Sequence, residues 1–356
     1  MTMDAPGRRP RWVSVFAVAA LVVGVLPGCV TDLVDPMELP DAKIAVRLWD
    51  SESGRQRRDL MDELAGKPGQ KRREGVLDLG NLSPRAAALS AGGPANPATR
   101  YPGRLALIDP RSREIEIVEE APPGARPLSW SPDRSRLLYS SDRQGGRLRL
   151  FELNFTTREV RPVAVGPENK LAGAHLGDDG YAYAVVQLDE EGAYDLQIRR
   201  TVSRGPDDVV DEGVAVRHFA TSRDGRFVVY APYRPEELAR FADRHPRIVA
   251  HDLESGSRRE LAPGLHPVVT PDGQWVVYSA RSGDAERTVR IRVDGSGRTA
   301  VGPSVRNEET PAVSPDGRYV VYVSEHNGLD RLFVKRFDGS GDRLLFDDAA
   351  VEWPIW

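Results

Sequence analysis

Ser314-Pro315-Asp316-Gly317-Arg318-Tyr319-Val320-Val321-Tyr322 holds a tight turn followed by the start of an apolar strand. Proline presets φ, aspartate bonds to the local backbone and glycine accepts a positive φ, so Pro-Asp-Gly marks a turn. The apolar run behind it reads as a strand packed against neighbouring sheets. The stretch recurs along the chain. Thr270-Pro271-Asp272-Gly273 precedes Trp275-Val276-Val277-Tyr278, and Trp130-Ser131-Pro132-Asp133, Ser222-Arg223-Asp224-Gly225 and the degenerate Gly177-Asp178-Asp179-Gly180 align with it. The aspartates stand at 133, 179, 224, 272 and 316, a period of 46, 45, 48 and 44 residues. Six residues after them come Tyr139, Val185, Tyr230, Tyr278 and Tyr322. Asp294-Gly295-Ser296-Gly297 and Asp338-Gly339-Ser340-Gly341 are hairpin signals between strands read at 287–293 and 298–301, and at 332–337 and 343–346.

Four short strands in about 45 residues is the length of one propeller blade, which buries both faces only when neighbours stack on it. The chain ends in Trp353-Pro354-Ile355-Trp356, the opening of a further repeat, and Ser83-Pro84-Arg85 followed by strands at 104–108 and 114–118 supplies a continuation. An all-β, six-bladed β-propeller with four-stranded blades is therefore expected over residues 80–356, closed by its C-terminal strand. These repeats resemble the TolB-like, WD40-like (PD40) propeller repeat of periplasmic proteins, whose consensus runs close to Pro-x-Trp-Ser-Pro-Asp-Gly. The resemblance implies the fold and leaves the activity open. TolB carries an α/β domain ahead of its propeller, and the roughly 50 residues before position 80 are too few for one.

Arg8, Arg9 and Arg11 lead into an apolar run at 12–26, broken by Ser14 and Gly24 and ending in Leu26-Pro27-Gly28-Cys29. The run has the outline of a signal peptide and is short of the roughly 20 residues a spanning helix needs. Leu26-Pro27-Gly28-Cys29 resembles the lipobox of bacterial lipoproteins, which implies cleavage after Gly28 and a diacylglycerol on Cys29. Residues 1–28 are read as the lipoprotein signal and 29–79 as a lipid-anchored linker with a short helix near 53–64. A linker of that length would let the body reach away from the membrane. Cys29 is the only cysteine, so the mature chain has no disulfide framework. Val30, where aspartate would mark inner-membrane retention, points to the outer membrane facing the periplasm. Removal of residues 1–28 leaves 46 basic against 52 acidic residues, a net charge of −6, which argues against nucleic acid.

The repeat also places candidate site residues. The positions entering the innermost strands are Pro127, Gly173, His218, His266, Thr310 and Trp353, preceded by Arg126, Ala172, Arg217, Leu265, Glu309 and Glu352. Arg217, His218, His266, Glu309 and Glu352 are thus expected to ring the mouth of a central channel. An insertion at 232–246 on the same face brings Tyr233 and Arg234, residue types enriched at binding hot spots. No nucleophile elbow, phosphate loop, His-Glu-x-x-His helix or EF-hand loop occurs. The expectation is a non-enzymatic, monomeric scaffold without a cofactor or metal, binding an envelope protein, peptide or glycan. The alternative is a metal-assisted lyase or hydrolase at His218, His266 and Glu309.

Overall fold

The computed structural model describes residues 33–56, 103–142, 148–164, 166, 168–188, 194–201, 206–216, 218–233, 246–283, 285–304 and 306–356. They form six sheets of four antiparallel strands arranged as a ring. The innermost strands are β4 (Arg126–Trp130), β8 (Asn169–Leu176), β12 (Phe219–Thr221), β16 (Leu265–Val269), β20 (Glu309–Val313) and β24 (Ala350–Ile355). Each touches the next and β24 touches β4, which closes the circle. The chain is a six-bladed β-propeller. Among the described residues no helix is long and apolar enough to cross a membrane.

The recurring turn follows from its hydrogen bonds. Asp272 Oδ1 accepts from Thr270 Oγ1 at 2.5 Å and from the amide of Gln274 at 3.0 Å, while Thr270 Oγ1 accepts the Trp275 amide at 3.0 Å. Gly273, at φ 69°, closes the turn by donating its amide to the Thr270 carbonyl. Ser314 and Asp316 repeat this set, as do Ser222 and Asp224, and Ser131 and Asp133. The second blade has Arg134 in place of the glycine, forced to φ 61°. Each turn aims the following strand so that its tyrosine is buried: Tyr139, Tyr230, Tyr278 and Tyr322 are at most 1% exposed. The hydroxyls keep polar partners, Asp211 for Tyr230, Arg298 for Tyr278 and Asp342 for Tyr322. In the third blade, where the repeat has Val185, Tyr183 takes this role and donates to Asp207.

The first blade joins both ends of the described chain. Its order is β24, β1 (Ile44–Trp49), β2 (Arg104–Ile108) and β3 (Ile115–Ile117). β24 pairs antiparallel with β1, Ala45 opposite Ile355 and Trp49 opposite Ala350, so the C-terminal strand does close the ring. Its partner corrects the sequence reading. Ile44–Trp49 lies in the segment read as linker, and all six of its residues are buried. The turn before it is Leu39-Pro40-Asp41-Ala42, a degenerate copy of the repeat with leucine for serine and alanine for glycine. The propeller therefore begins well before residue 80. Residues 50–102 stand between β1 and β2 as an insertion within the first blade, not as a tether ahead of it. The helix expected near 53–64 is present at 51–56, capped by Asp50, whose carboxylate accepts the amides of Glu52 and Ser53. Residues 57–64 of the segment expected to be helical, with Ser83, Pro84 and Arg85, lie outside the described residues.

Ahead of β1, residues 33–43 form a strap across the turn face of the sixth and first blades. Val34 and Leu39 are fully buried, and the Val34 amide donates to the Gly341 carbonyl at 3.0 Å. Trp356 Nε1 donates to the Ala42 carbonyl at 2.8 Å, and Arg336 pairs with Glu38 at 3.1 Å.

Two outcomes check this account. Asp272→Ala removes the acceptor that organises one turn and should cost about 1–2 kcal/mol in denaturant unfolding. Deleting residues 352–356 strips the inner edge of the first blade and should lower the Tm by on the order of 10 °C. An unchanged melt would contradict closure by β24.

Candidate functional site at the channel mouth

The six innermost strands enclose a central cavity of about 400 Å³. At its mouth His266, Thr310 and Trp353 adopt φ of 52°, 46° and 56°. Each precedes a proline, and each sits where the pairing of its strand with the next one shifts register. These residues were expected just ahead of the innermost strands; in three blades they lie within the strand, as β-bulges. A bulge redirects its side chain and stores strain, of order 1–3 kcal/mol for a non-glycine residue in the left-handed region. Thr310, β-branched, is the least tolerant of the three. The third blade has Gly173 at this position, where an added Cβ would approach Leu150 Cδ1 to 2.8 Å and oblige that buried side chain to shift.

Two of these side chains, Trp353 and His266, meet His218 over the channel. Trp353 of the first blade reaches His218 of the fourth, on the opposite side of the ring, with ring centroids 4.4 Å apart and planes at 28°. His266 lies edge-on to His218 at 4.3 Å and to Trp353 at 5.7 Å. The Arg126 guanidinium stands 3.8 Å from the centroid of the Trp353 ring. The result is a half-buried aromatic and cationic roof that draws on blades one, two, four and five. His218 and His266 are thus brought together as expected, but their companions are Trp353 and Arg126 rather than carboxylates. The alignment of Trp353 with the two histidines was the available signal for it.

Glu309 and Glu352 occupy another part of the rim. Glu309 accepts a hydrogen bond from Asn307 and is open to water although protein surrounds it on many sides, as in the wall of a funnel. That enclosure, then the charges of Asp330, Glu286 and Glu352, push its carboxyl up from the ordinary value. Among the described residues no three His, Cys, Asp or Glu side chains group so as to hold a metal. Two imidazoles beside an indole and a guanidinium are a poor donor set for a divalent cation, so a metal does not fit the mouth. Tyr233 is 9% exposed and packs with Leu171, Val186, Leu196 and Ala215, so it is a packing residue rather than open contact surface. Arg217 and Arg234, with the rest of the insertion at 234–245, lie outside the described residues.

No family model matches the sequence. An uncharacterised protein of Agrobacterium fabrum is 25% identical over 197 residues, 54% of this chain, and the chain spans 63% of that relative's length. TolB from Acinetobacter baumannii superposes with a TM-score of 0.59 at 16% identity, covering 89% of this chain and 67% of that one. The chain has the TolB-like β-propeller fold. A putative TolB from Agrobacterium tumefaciens gives a TM-score of 0.53 at 23% identity, over 67% and 87% of the two chains. Hydrazine synthase of Kuenenia stuttgartiensis gives 0.55 at 10% identity over 90% of this chain and 47% of that one, so the architecture serves unrelated chemistries.

This TolB-like propeller also carries a polar row between its second and third blades that the sequence reading missed. Glu152, on β6 (Arg149–Asn154), accepts from Tyr181 at 2.6 Å and Arg161 at 2.8 Å and meets His175 Nε2 at 3.0 Å. His175 Nδ1 lies 2.9 Å from Ser129 Oγ, which also accepts the His175 amide at 2.9 Å. Ser129 and His175 line the channel. No local motif announces the group, because its members come from five strands of two neighbouring blades.

Burial opposes ionisation of Glu152, but hydrogen bonds from His175, Tyr181 and Arg161 overcome it and hold the carboxyl at about 2, below its ordinary value of 4.5. Tyr181 is correspondingly pushed up to about 12, by burial and by Glu152. A depressed carboxyl stabilises the fold above its unfolded value and loses that contribution as pH falls through its folded value. Stability should therefore decline between pH 4.5 and about 2. Glu152→Gln should flatten that decline in acid-unfolding titrations and cost about 3 kcal/mol at neutral pH, because it leaves buried donors underpaired.

Proposed function

We propose that this protein is a lipid-anchored envelope scaffold that binds a protein, peptide or glycan partner, without catalysis, at the mouth of its channel. The observation that supports it is the roof of Trp353, His218, His266 and Arg126. Strained backbone at two of these positions fixes an aromatic and cationic surface before any ligand arrives, and such preorganisation favours binding. Trp and Arg are the residue types that most often dominate binding surfaces. The lipobox-like Leu26-Pro27-Gly28-Cys29 supports an anchor on Cys29, and Val30 favours the outer membrane, facing the periplasm. The mature charge of −6 makes nucleic acid a poor partner.

One observation favours a second reading as a hydrolase. Ser129, His175 and Glu152 form a hydrogen-bonded row at 2.9 and 3.0 Å that runs inward from the channel lining, with the imidazole placed to accept the serine proton. Glu152 is also held by Arg161 and Tyr181, which suits a lock between blades equally well. A fluorophosphonate that labels the wild type and spares Ser129→Ala would establish the hydrolase.

A photo-crosslinking residue in place of His266 or Trp353, in intact cells, should trap a partner that the same residue at Gln274, on the turn face, does not. Equal yields at both faces would remove the mouth from consideration. Cys29→Ser should shift the protein from the membrane to the soluble fraction.

A further inference from the structure

The strap at residues 33–43 fixes where the chain leaves the propeller. The Val34 amide donates to Gly341, in the Asp338-Gly339-Ser340-Gly341 turn, and the Val34 carbonyl accepts from Arg343 at 2.8 Å. The Glu38 carbonyl accepts from the Tyr319 hydroxyl at 3.3 Å. Leu33 therefore lies on the face that carries the Pro-Asp-Gly turns, opposite the channel mouth. Only residues 30–32 separate it from Cys29. Four Cα steps of a fully extended chain span at most about 14 Å.

Three of the exposed large hydrophobic side chains are carried by elements on this face. Among the described residues four large hydrophobic side chains are exposed: Leu33, Met37, Ile115 and Val209, at 48%, 69%, 40% and 51%. Leu33 and Met37 belong to the strap. Ile115 begins β3 directly after the turn at 109–114, and Lys43 of the strap pairs with its neighbour Glu116. Met37 is the middle residue of a helical turn, Pro36–Glu38, whose cap Asp35 accepts the Met37 amide at 2.9 Å, so this side chain is carried on an ordered backbone.

We infer that the turn face around Leu33, Met37 and Ile115 lies against the phospholipid surface into which Cys29 is anchored, with the channel mouth facing away from it. The inference rests on acylation of Cys29 and adds the orientation that acylation alone leaves free. Two constraints act together: a tether of about 14 Å is shorter than the body is thick, and three apolar side chains gain by entering the headgroup boundary. The mouth then stands roughly 30 Å from the bilayer, about the length of an eight-residue strand with its loops. It is presented to whatever lies across the periplasm, rather than to the lipid.

Because Cys29 is the only native cysteine and is blocked when acylated, single cysteines can report on each face. The full-length lipidated protein, in phospholipid vesicles containing nitroxide lipids, carries a bimane label at Met37→Cys or at Ser282→Cys on the mouth face. Bimane at position 37 should be quenched at least about threefold more than at 282. Inserting about 20 Gly and Ser residues after Asp32 should reduce the difference. Equal quenching at both positions on membrane-bound protein would overturn the orientation and leave acylation standing. Unquenched label at 37, together with disulfide-linked dimers of the unlabelled Met37→Cys protein on oxidation, would assign these apolar residues to contact with a second copy. Unmodified Cys29 by mass, in protein that stays soluble without detergent, would overturn the anchor and the orientation together.

Discussion

The antiparallel pairing of Ala350–Ile355 with Ile44–Trp49 is the contact on which the molecule depends. Every other blade is built from four consecutive strands and could form by local hairpins; the first blade cannot. Non-covalent contacts alone must hold that seam, since the sequence has a single cysteine and can form no disulfide within the chain. The seam is accordingly reinforced on both edges. Trp130 of the next blade donates to the Ile355 carbonyl, and Trp356 donates to Ala42 in the strap. The strap in turn ties the first blade to the sixth through Glu38, Arg336 and Tyr319. Elsewhere carboxylates serve as seals between blades. Glu308 holds the fully buried Lys335 at 2.7 Å together with the Thr288 amide, joining the fifth and sixth blades much as Glu152 joins the second and third.

Closure by this pairing also shapes the mouth. For Trp353 to belong to β24 and yet reach His218 across the ring, the strand must bulge at residue 353, and the positive φ there is the cost of doing so. The same device at His266 and Thr310 makes the rim a set of fixed side chains rather than mobile loops. Local strain and functional surface thus coincide, as expected where the surrounding fold over-determines a few residues.

The repeat made most of the fold legible. Serine or threonine, aspartate and glycine each have a separate hydrogen-bonding or conformational duty in the turn, so their spacing carries structural information even at low similarity. The first blade was misread for the complementary reason. Leu39 and Ala42 lack the hydroxyl and the glycine that make the turn recognisable, and the alternation in Ile44–Trp49 is hidden because that strand is buried on both faces. At the site, equivalence of repeat positions placed His218 and His266 correctly, because the ring converts sequence period into spatial proximity. It could not rank Trp353 above Glu309, since reach across a channel depends on side-chain length and bulge geometry. Tyr233 was misjudged because residue type was weighed without burial. The row of Ser129, His175 and Glu152 depends on side chains from different blades meeting through space, which no linear pattern records.

The two halves of the seam are about 300 residues apart, Ala45 opposite Ile355. Loop-closure entropy must be met before that contact returns any stability, so ring closure is expected to be the late and slow event in folding. Until then β1 exposes a run of six residues destined for the interior, with an open edge, in a chain that has already left the cytoplasm if the leader is used. The strap offers a remedy within the sequence itself. By docking Val34 and Leu39 onto the sixth blade, it can hold β1 beside the place where β24 will arrive and turn a distant encounter into a short local search.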